Sequence, residues 1–388
     1  MKITQKLIIV VVMITLLGIE RLASAADAPV PKTGQTISYS SGDDGDLELG
    51  VAWPNPRFTD NSDGTVKDNL TGLTWLKDAN ALGQLAWETA LTTCATVSNG
   101  VYGLTDGSVA GDWRLPNARE LHSLVDFGQH GPAVPDTAGT GQWTAGGPFT
   151  DVQSLQYWSS TTYKGATGNA YFWYALYGAI ITANKNTSYY AWPVRGTTSV
   201  TDPAPVPKTG QTISYSATGG DDGDLQLGVA WSNPRFTDNG DGTVLDNLTE
   251  LVWLKDTDAL GQMFWNTALT TCTAVSNGVY GLTDGSVAGD WRLPNARELR
   301  SLCDFGQHGP AVPDTAGTGQ WTTEKGPFTD VQSLQYWSST TYKGATGNAY
   351  FWYALYGAII TANKNTSYYA WPVRDYIPPP RGTVISIQ

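Results

Sequence analysis

Apolar and polar positions run along this chain in a fixed succession of rhythms, and the succession occurs twice. It opens with Leu7 to Ile19, an apolar run preceded by Lys2 and Lys6 and followed by Ala23-Ser24-Ala25. Positive start, apolar middle and small-residue end predict a cleaved export leader over residues 1–26. Next, Arg57-Phe-Thr-Asp60 and Thr65-Val-Lys-Asp68 flank Asn61-Ser62-Asp63-Gly64. Asp-Gly between short strand-like runs predicts a hairpin, because glycine tolerates positive φ. Leu73 to Leu76 reads as another strand. Trp87, Ala90, Leu91, Cys94 and Val97 recur at helical spacing, with Gly100 as the stop. Asn117-Ala-Arg-Glu120 is a capping box opening a second helix with Leu121, Leu124 and Val125 on its apolar stripe. A Gly/Pro/Thr-rich loop follows. Short β-like runs then close the unit at Tyr157 to Thr161, Tyr171 to Leu176, Ala179 to Thr182 and Tyr189 to Arg195.

The second pass repeats the first almost letter for letter. Val97 to Leu121 returns unchanged as Val275 to Leu299, and Gly147 to Arg195 as Gly326 to Arg374. The 16 Trp fall into matched pairs, Trp53 with Trp231 through Trp192 with Trp371. The period is of domain size rather than solenoid size. The expected organisation is therefore a leader (1–26), a first domain (27–196), a Pro-bearing linker (197–206), a second domain (207–375) and a tail (376–388). Each domain is expected to be α+β with its own separate core.

Charge and composition narrow the function classes. Lys and Arg number 23 against 35 Asp and Glu, a net charge of −12. That balance argues against nucleic acid, whose phosphates call for a positive field. After the leader, no stretch is apolar enough to span a bilayer. The expected location is secreted, periplasmic or cell-surface. The 3 cysteines, Cys94, Cys272 and Cys303, exclude a complete disulfide framework. A Cys272–Cys303 bridge and buried free thiols both stay open at this point.

No constellation announces catalysis. His122 is replaced by Arg300 in the second copy, while His130 and His308 stand in Gly/Pro loops. No nucleophile elbow, phosphate-binding loop or His-Glu-x-x-His is present, so the expectation is a protein that is not an enzyme. Hard-oxygen residues do cluster: Asp60, Asp63 and Asp68, repeated as Asp238, Asp241 and Asp246, with Asp43, Asp44 and Asp46 as a further group. Structural calcium and plain turn chemistry are the two readings, and the EF-hand register fails. No other cofactor is indicated.

The closing segment is aromatic to an unusual degree. Tyr171, Trp173, Tyr174, Tyr177 and Tyr189 lie near Asn184, Lys185 and Asn186, and the second copy has Tyr350, Trp352, Tyr353, Tyr356, Tyr368, Asn363, Lys364 and Asn365. Alternation puts Tyr171 and Trp173 on one strand face and Phe172 and Tyr174 on the other. Tyr and Trp supply large contact area with few rotors and a polar handle. These residues are either a thick core or a recognition surface, and they are the candidate ligand site.

Three ordered motifs carry a family resemblance. Phe58-Thr-Asp-Asn-Ser-Asp-Gly-Thr-Val66 with Asp68 to Leu73 and Trp75, then Asp112-Trp-Arg-Leu-Pro-Asn117 with Glu120-Leu121, then Tyr157-Trp-Ser-Ser-Thr161 with Lys185 and Pro193-Val-Arg195, resemble the Lcl C-terminal domain family. The second copy bears them at Phe236, Asp290 and Tyr336. The resemblance implies tandem C-type-lectin-like domains of a secreted bacterial protein and, in some members, adhesion to sulfated glycans or host surfaces. Ala81, and Val101 or Tyr102, stand where the family often has cysteines, and Ala191-Trp192 replaces its Val-Arg. The acidic charge suits sulfated glycans poorly. The expectation is an adhesin-like binding module for a glycan or cell-surface ligand, presented twice for avidity. The rival is a structural surface or assembly protein without a soluble ligand, and on either reading a homo-oligomer is open. A lesser alternative is a retroelement-diversified lectin-fold protein, since adenine-mutable residue types crowd Ala170 to Ala191.

Overall fold

A computed structural model describes residues 26–376. The leader expected over 1–26, apart from Ala26, and the tail beyond Tyr376 lie outside the described residues. In the first repeat the elements are α1 (Asp44–Leu47), β1 (Phe58–Asp60), β2 (Thr65–Asp68), β3 (Thr74–Leu76), β4 (Gln84–Leu85), α2 (Trp87–Thr96), β5 (Trp113–Arg114), α3 (Ala118–Ser123), β6 (Gln156–Thr162), β7 (Asn169–Tyr174), β8 (Ala179–Asn184), β9 (Tyr189–Tyr190) and β10 (Val194–Arg195). The second repeat gives α4 (Asp222–Leu225), β11 (Phe236–Asp238), β12 (Thr243–Asp246), β13 (Leu251–Leu254), β14 (Gln262–Met263), α5 (Trp265–Thr273), α6 (Ala296–Ser301), β15 (Gln335–Thr341), β16 (Asn348–Tyr353), β17 (Ala358–Asn363), β18 (Tyr368–Tyr369) and β19 (Val373–Asp375).

Local chemistry accounts for the boundaries. The β1–β2 hairpin turns on Gly64 at φ +87°, where a Cβ would sit 2.6 Å from the Gly103 carbonyl oxygen. Only glycine fits that close approach. Helix α3 starts at the capping box: Asn117 accepts from the Arg119 and Glu120 amides, and Glu120 accepts from the Asn117 amide. Glu120 also holds Arg114 through two bonds of 2.6 and 2.7 Å. Inside each repeat the last strand returns to the early hairpin, β10 pairing with β3 and β19 with β13.

The expectation of two separate cores is overturned. One hydrophobic core runs through both repeats, holding Phe127, Tyr171, Trp173 and Ile180 together with Phe305, Tyr350, Trp352 and Ile359. Phe127 meets Tyr350 at 4.8 Å between ring centroids, and Tyr171 meets Phe305 at 4.9 Å. Strands β8 and β17 join antiparallel at Ile180 and Ile359, so the two meanders form one 10-stranded sheet, ordered β14-β18-β15-β16-β17-β8-β7-β6-β9-β4. Smaller clusters under α2 and α5 remain private to each repeat.

The repeats also exchange their leading segments. From the first, Asp44 accepts a 2.7 Å bond from Thr340 on β15, and Gln35 brackets the Thr341 backbone. Reciprocally, Asp222 accepts a 2.7 Å bond from Thr161 on β6, and Gln211 brackets Thr162. These crossing contacts come in mirrored pairs, so the chain has internal pseudo-twofold symmetry. The expected free linker is docked as well: Ala204 donates its amide to Leu70 O at 3.0 Å, and Ala204 and Val206 are buried.

Candidate functional site

Core-facing alternation decides the fate of the aromatics. Tyr171 and Trp173, with Tyr350 and Trp352, are fully buried. Their place in the ligand-binding set is corrected: the sheet face they occupy packs against the shared core, so no ligand reaches them. The opposite face bears Phe172, Ala170 and Trp158, closed over by α2 through Trp87 and Leu91. Tyr189 packs against Trp158 at 4.7 Å and Phe172 at 4.9 Å, half-buried at the rim of that cluster, as Tyr368 does opposite.

Lys185 and Lys364 are not free cations. The Lys185 ammonium lies 3.7 Å from the centroid of Trp87 and donates to Tyr215 O at 3.2 Å. Lys364 does the same over Trp265 and donates to Thr341 Oγ1. Partial burial lowers both ammonium pKa values to about 8. Lys185 thus fastens the leading segment of the second repeat, and Lys364 lies 5.6 Å from the ring centroid of Tyr39 on that of the first. Asn184 and Asn363 accept from the amides of Asn186 and Asn365 within tight exposed turns.

The acidic clusters are also spoken for. Asp60 pairs with Lys77 at 2.6 Å, Asp63 accepts from Thr65, and buried Asp68 grips Arg57 through two bonds. Asp238, Asp241 and Asp246 repeat this with Lys255, Thr243 and Arg235. Asp43 caps α1, and Asp44 accepts from Thr33 beside it and from Thr340 across the exchange. Among the described residues no group of three or more His, Cys, Asp or Glu is placed to hold a metal ion. The carboxylates face different partners, and buried Asp68 and Asp246, each held by an arginine, are not free to ligate a cation. The Cys272–Cys303 bridge does not form either. All three thiols are free and buried, in separate clusters for Cys272 and Cys303, and burial raises the Cys303 pKa to about 12.

What the fold does assemble is a pair of aromatic patches on the seam. Tyr174 and Tyr177 sit 4.9 Å apart in the first repeat, and Tyr342 of the second comes within 5.9 Å of Tyr177. Exposed His130 stands 6.4 Å from Tyr342. The mirror patch joins Tyr353 and Tyr356 at 5.0 Å with Tyr163 at 5.7 Å and His308 at 6.3 Å. The tyrosines are half-buried. Burial raises the phenols of Tyr177 and Tyr342, and of Tyr163 and Tyr356, so their hydroxyls keep their protons at neutral pH. Tyr174, Tyr177, Tyr353 and Tyr356 were legible in the sequence as candidates. Tyr163, Tyr342 and the two histidines were not, because only cross-repeat packing brings them in.

The Ser159 hydroxyl is buried and donates to Tyr171 O at 2.7 Å, a bond within the sheet. His122 is buried and far below its ordinary pKa, through desolvation first and then the nearby Arg300, Arg297 and Arg119.

Among known proteins, the Lcl C-terminal domain family matches residues 64–195 and again 242–374. No curated protein and no solved structure matches the chain. The two matched stretches take in most of the chain and hold the second hairpin strand, the helices α2 and α3 or α5 and α6, and the closing meander of each repeat, so the protein belongs to the Lcl C-terminal domain family and carries its domain twice.

Proposed function

We propose that this is an exported, non-catalytic binding protein that takes a glycan or cell-surface ligand on its two seam patches. The observation that carries the reading is the composite patch Tyr174–Tyr177–Tyr342–His130 and its mirror. Half-exposed tyrosines offer flat faces for sugar rings and hydroxyls that donate and accept, with few rotors to immobilise. Duplication then presents two such patches on one rigid body. Two weak sites on a repetitive target gain apparent affinity by a factor of roughly 10²–10⁴. Each repeat reads as C-type-lectin-like, supported by the closing strand returning to the early hairpin and by the long loop between α3 and β6. The diversified-lectin alternative loses ground, because Ala170, Tyr171, Phe172, Trp173, Ala175, Ala179 and Ile180 are buried and unsuited to free variation.

The test is a glycan array probed with the mature chain, followed by Tyr177→Ala with Tyr356→Ala. One anchor tyrosine at a recognition centre is worth about 2 kcal/mol or more. The double variant should lose at least an order of magnitude in retention while keeping its circular dichroism, and each single variant should retain intermediate binding. Undiminished retention by the double variant would remove the patches from the reading.

A further inference from the structure

On the pseudo-twofold axis lies a cavity of about 80 Å³, room for more than water alone. Arg119 and His122 from the first repeat and Arg297 and Arg300 from the second line it. These four side chains are 3 to 9 % exposed. Buried guanidinium groups are ordinarily matched by carboxylates, since an uncompensated buried charge is costly. The neighbouring arginines obey this: Arg57 and Arg235 hold Asp68 and Asp246, and Arg114 and Arg292 hold Glu120 and Glu298. Arg119, Arg297 and Arg300 do not. Among the described residues no carboxylate forms an ion pair with any of them. They donate only to backbone carbonyls, Arg119 to Ser301 and Cys303, Arg297 to Ser123 and Val125, and Arg300 to Ala118. Those carbonyls lie at or near the ends of α3 and α6, so the arginines lock the repeats together. The lock leaves donors over: Nε of all three arginines and Nη1 of Arg300 are buried without a partner, and beside them the Nε2 of neutral His122 has no partner either.

We propose that this cavity binds a small organic carboxylate, its head on the Arg119, Arg297 and Arg300 guanidiniums and its short aliphatic body against Val30, Val206 and Leu70. Guanidinium presents paired N–H donors that match the two oxygens of a carboxylate. Val30, Leu70, Val206 and Leu248 in the wall favour a carboxylate with a hydrocarbon body over inorganic phosphate, whose oxygens all call for polar partners and none for apolar contact. Burial lowers the arginine pKa values to about 10, 9 and 9, which leaves all three charged at neutral pH. Half-buried Pro29, Val30 and Pro31 belong to its lining. The site is distinct from the tyrosine patches and does not depend on them.

The duplication supplies the test. His122 and Arg300 are equivalent positions, so each residue is already accepted by the same local fold. Isobutyrate, inorganic phosphate and chloride at matched ionic strength would be titrated calorimetrically into the full mature chain, Arg300→His and His122→Arg. Saturable isobutyrate binding is expected, tighter than phosphate, and about tenfold weaker in Arg300→His, where one charge-assisted hydrogen-bond donor pair is lost. His122→Arg should bind more tightly. Absence of saturation in the unaltered chain, or equal affinity in all three chains, overturns the site. Phosphate binding as tight as isobutyrate overturns the carboxylate assignment. Melting in chloride alone reports whether each variant has folded.

Discussion

At the scale of single residues, burial governs the chemistry. Asp44 and Asp222 each accept a threonine hydroxyl from the other repeat, and desolvation raises both pKa values from the ordinary 3.8 to about 7. Asp126 and Asp304 rise to about 7 for the same reason. A carboxyl raised on folding gives the native state more protons than the unfolded chain between pH about 4 and 7. Its stabilising contribution is complete below the unfolded pKa and is lost as pH rises through about 7. The melting temperature should therefore climb as the pH falls from 7 to 5, each group contributing up to about 1.4 kcal/mol per pH unit in that window. His122 opposes this: its folded pKa is depressed, so its contribution is present above pH 6.5 and lost below. Four carboxyls outweigh one imidazole. Asp44→Asn with Asp222→Asn should flatten the slope, as followed by thermal melts across pH; an unaltered slope would show that these carboxyls do not titrate between folded and unfolded states. Trp173 makes the same point about packing. Trp173→Ala should cost about 3–5 kcal/mol in a denaturant titration, as large-to-small core changes do, rather than weaken binding selectively.

Among the elements, the helix starts and the hairpins follow local sequence closely. The capping box at Asn117 and Glu120 is present atom for atom, and the turn at Gly64 is where Asp-Gly placed it. Asn117→Ala should destabilise by about 1 kcal/mol, since it frees two amides at the start of α3. Chemical denaturation checks the size, and the same change at Asn295 should match it because the two caps share one geometry. Strand β7 shows where local reading stops. Its alternation assigns Tyr171 and Trp173 to one face and Phe172 and Tyr174 to the other, but periodicity says nothing about what covers each face. Core covers the first and α2 closes over much of the second, leaving Tyr174 at the edge.

The whole molecule behaves as a dimer drawn in one chain. Its leading segments cross, its sheet is continuous and its core is shared, so unfolding should be cooperative. A calorimetric scan is expected to show one transition; two resolved transitions would mean the repeats unfold independently. Residues 27–196 produced alone would leave Thr161 and Thr162 without Asp222 and Gln211, and would bare Phe127, Tyr171 and Ile180. That fragment should pair with a second copy, each lending its leading segment, because the same contacts are available isologously. Light scattering after size exclusion should give twice the fragment mass, and a well-folded monomer would show the seam to be dispensable.

The sequence alone determined the α+β elements, the duplication, the motifs of the family and four of the patch tyrosines. These depend on contacts close along the chain, or on letter-for-letter repetition. Only the tertiary structure decided that the repeats share a core, that Trp173 is inside, that Lys185 is a fastener and that Tyr342 meets Tyr177. The same holds for Arg119, Arg297 and Arg300 around one cavity: they come from halves of the chain far apart in sequence. A repeat can carry its own hairpin and cap in local spacing, but the partner for its apolar face is selected by the area the second copy can bury, and no local pattern records that choice.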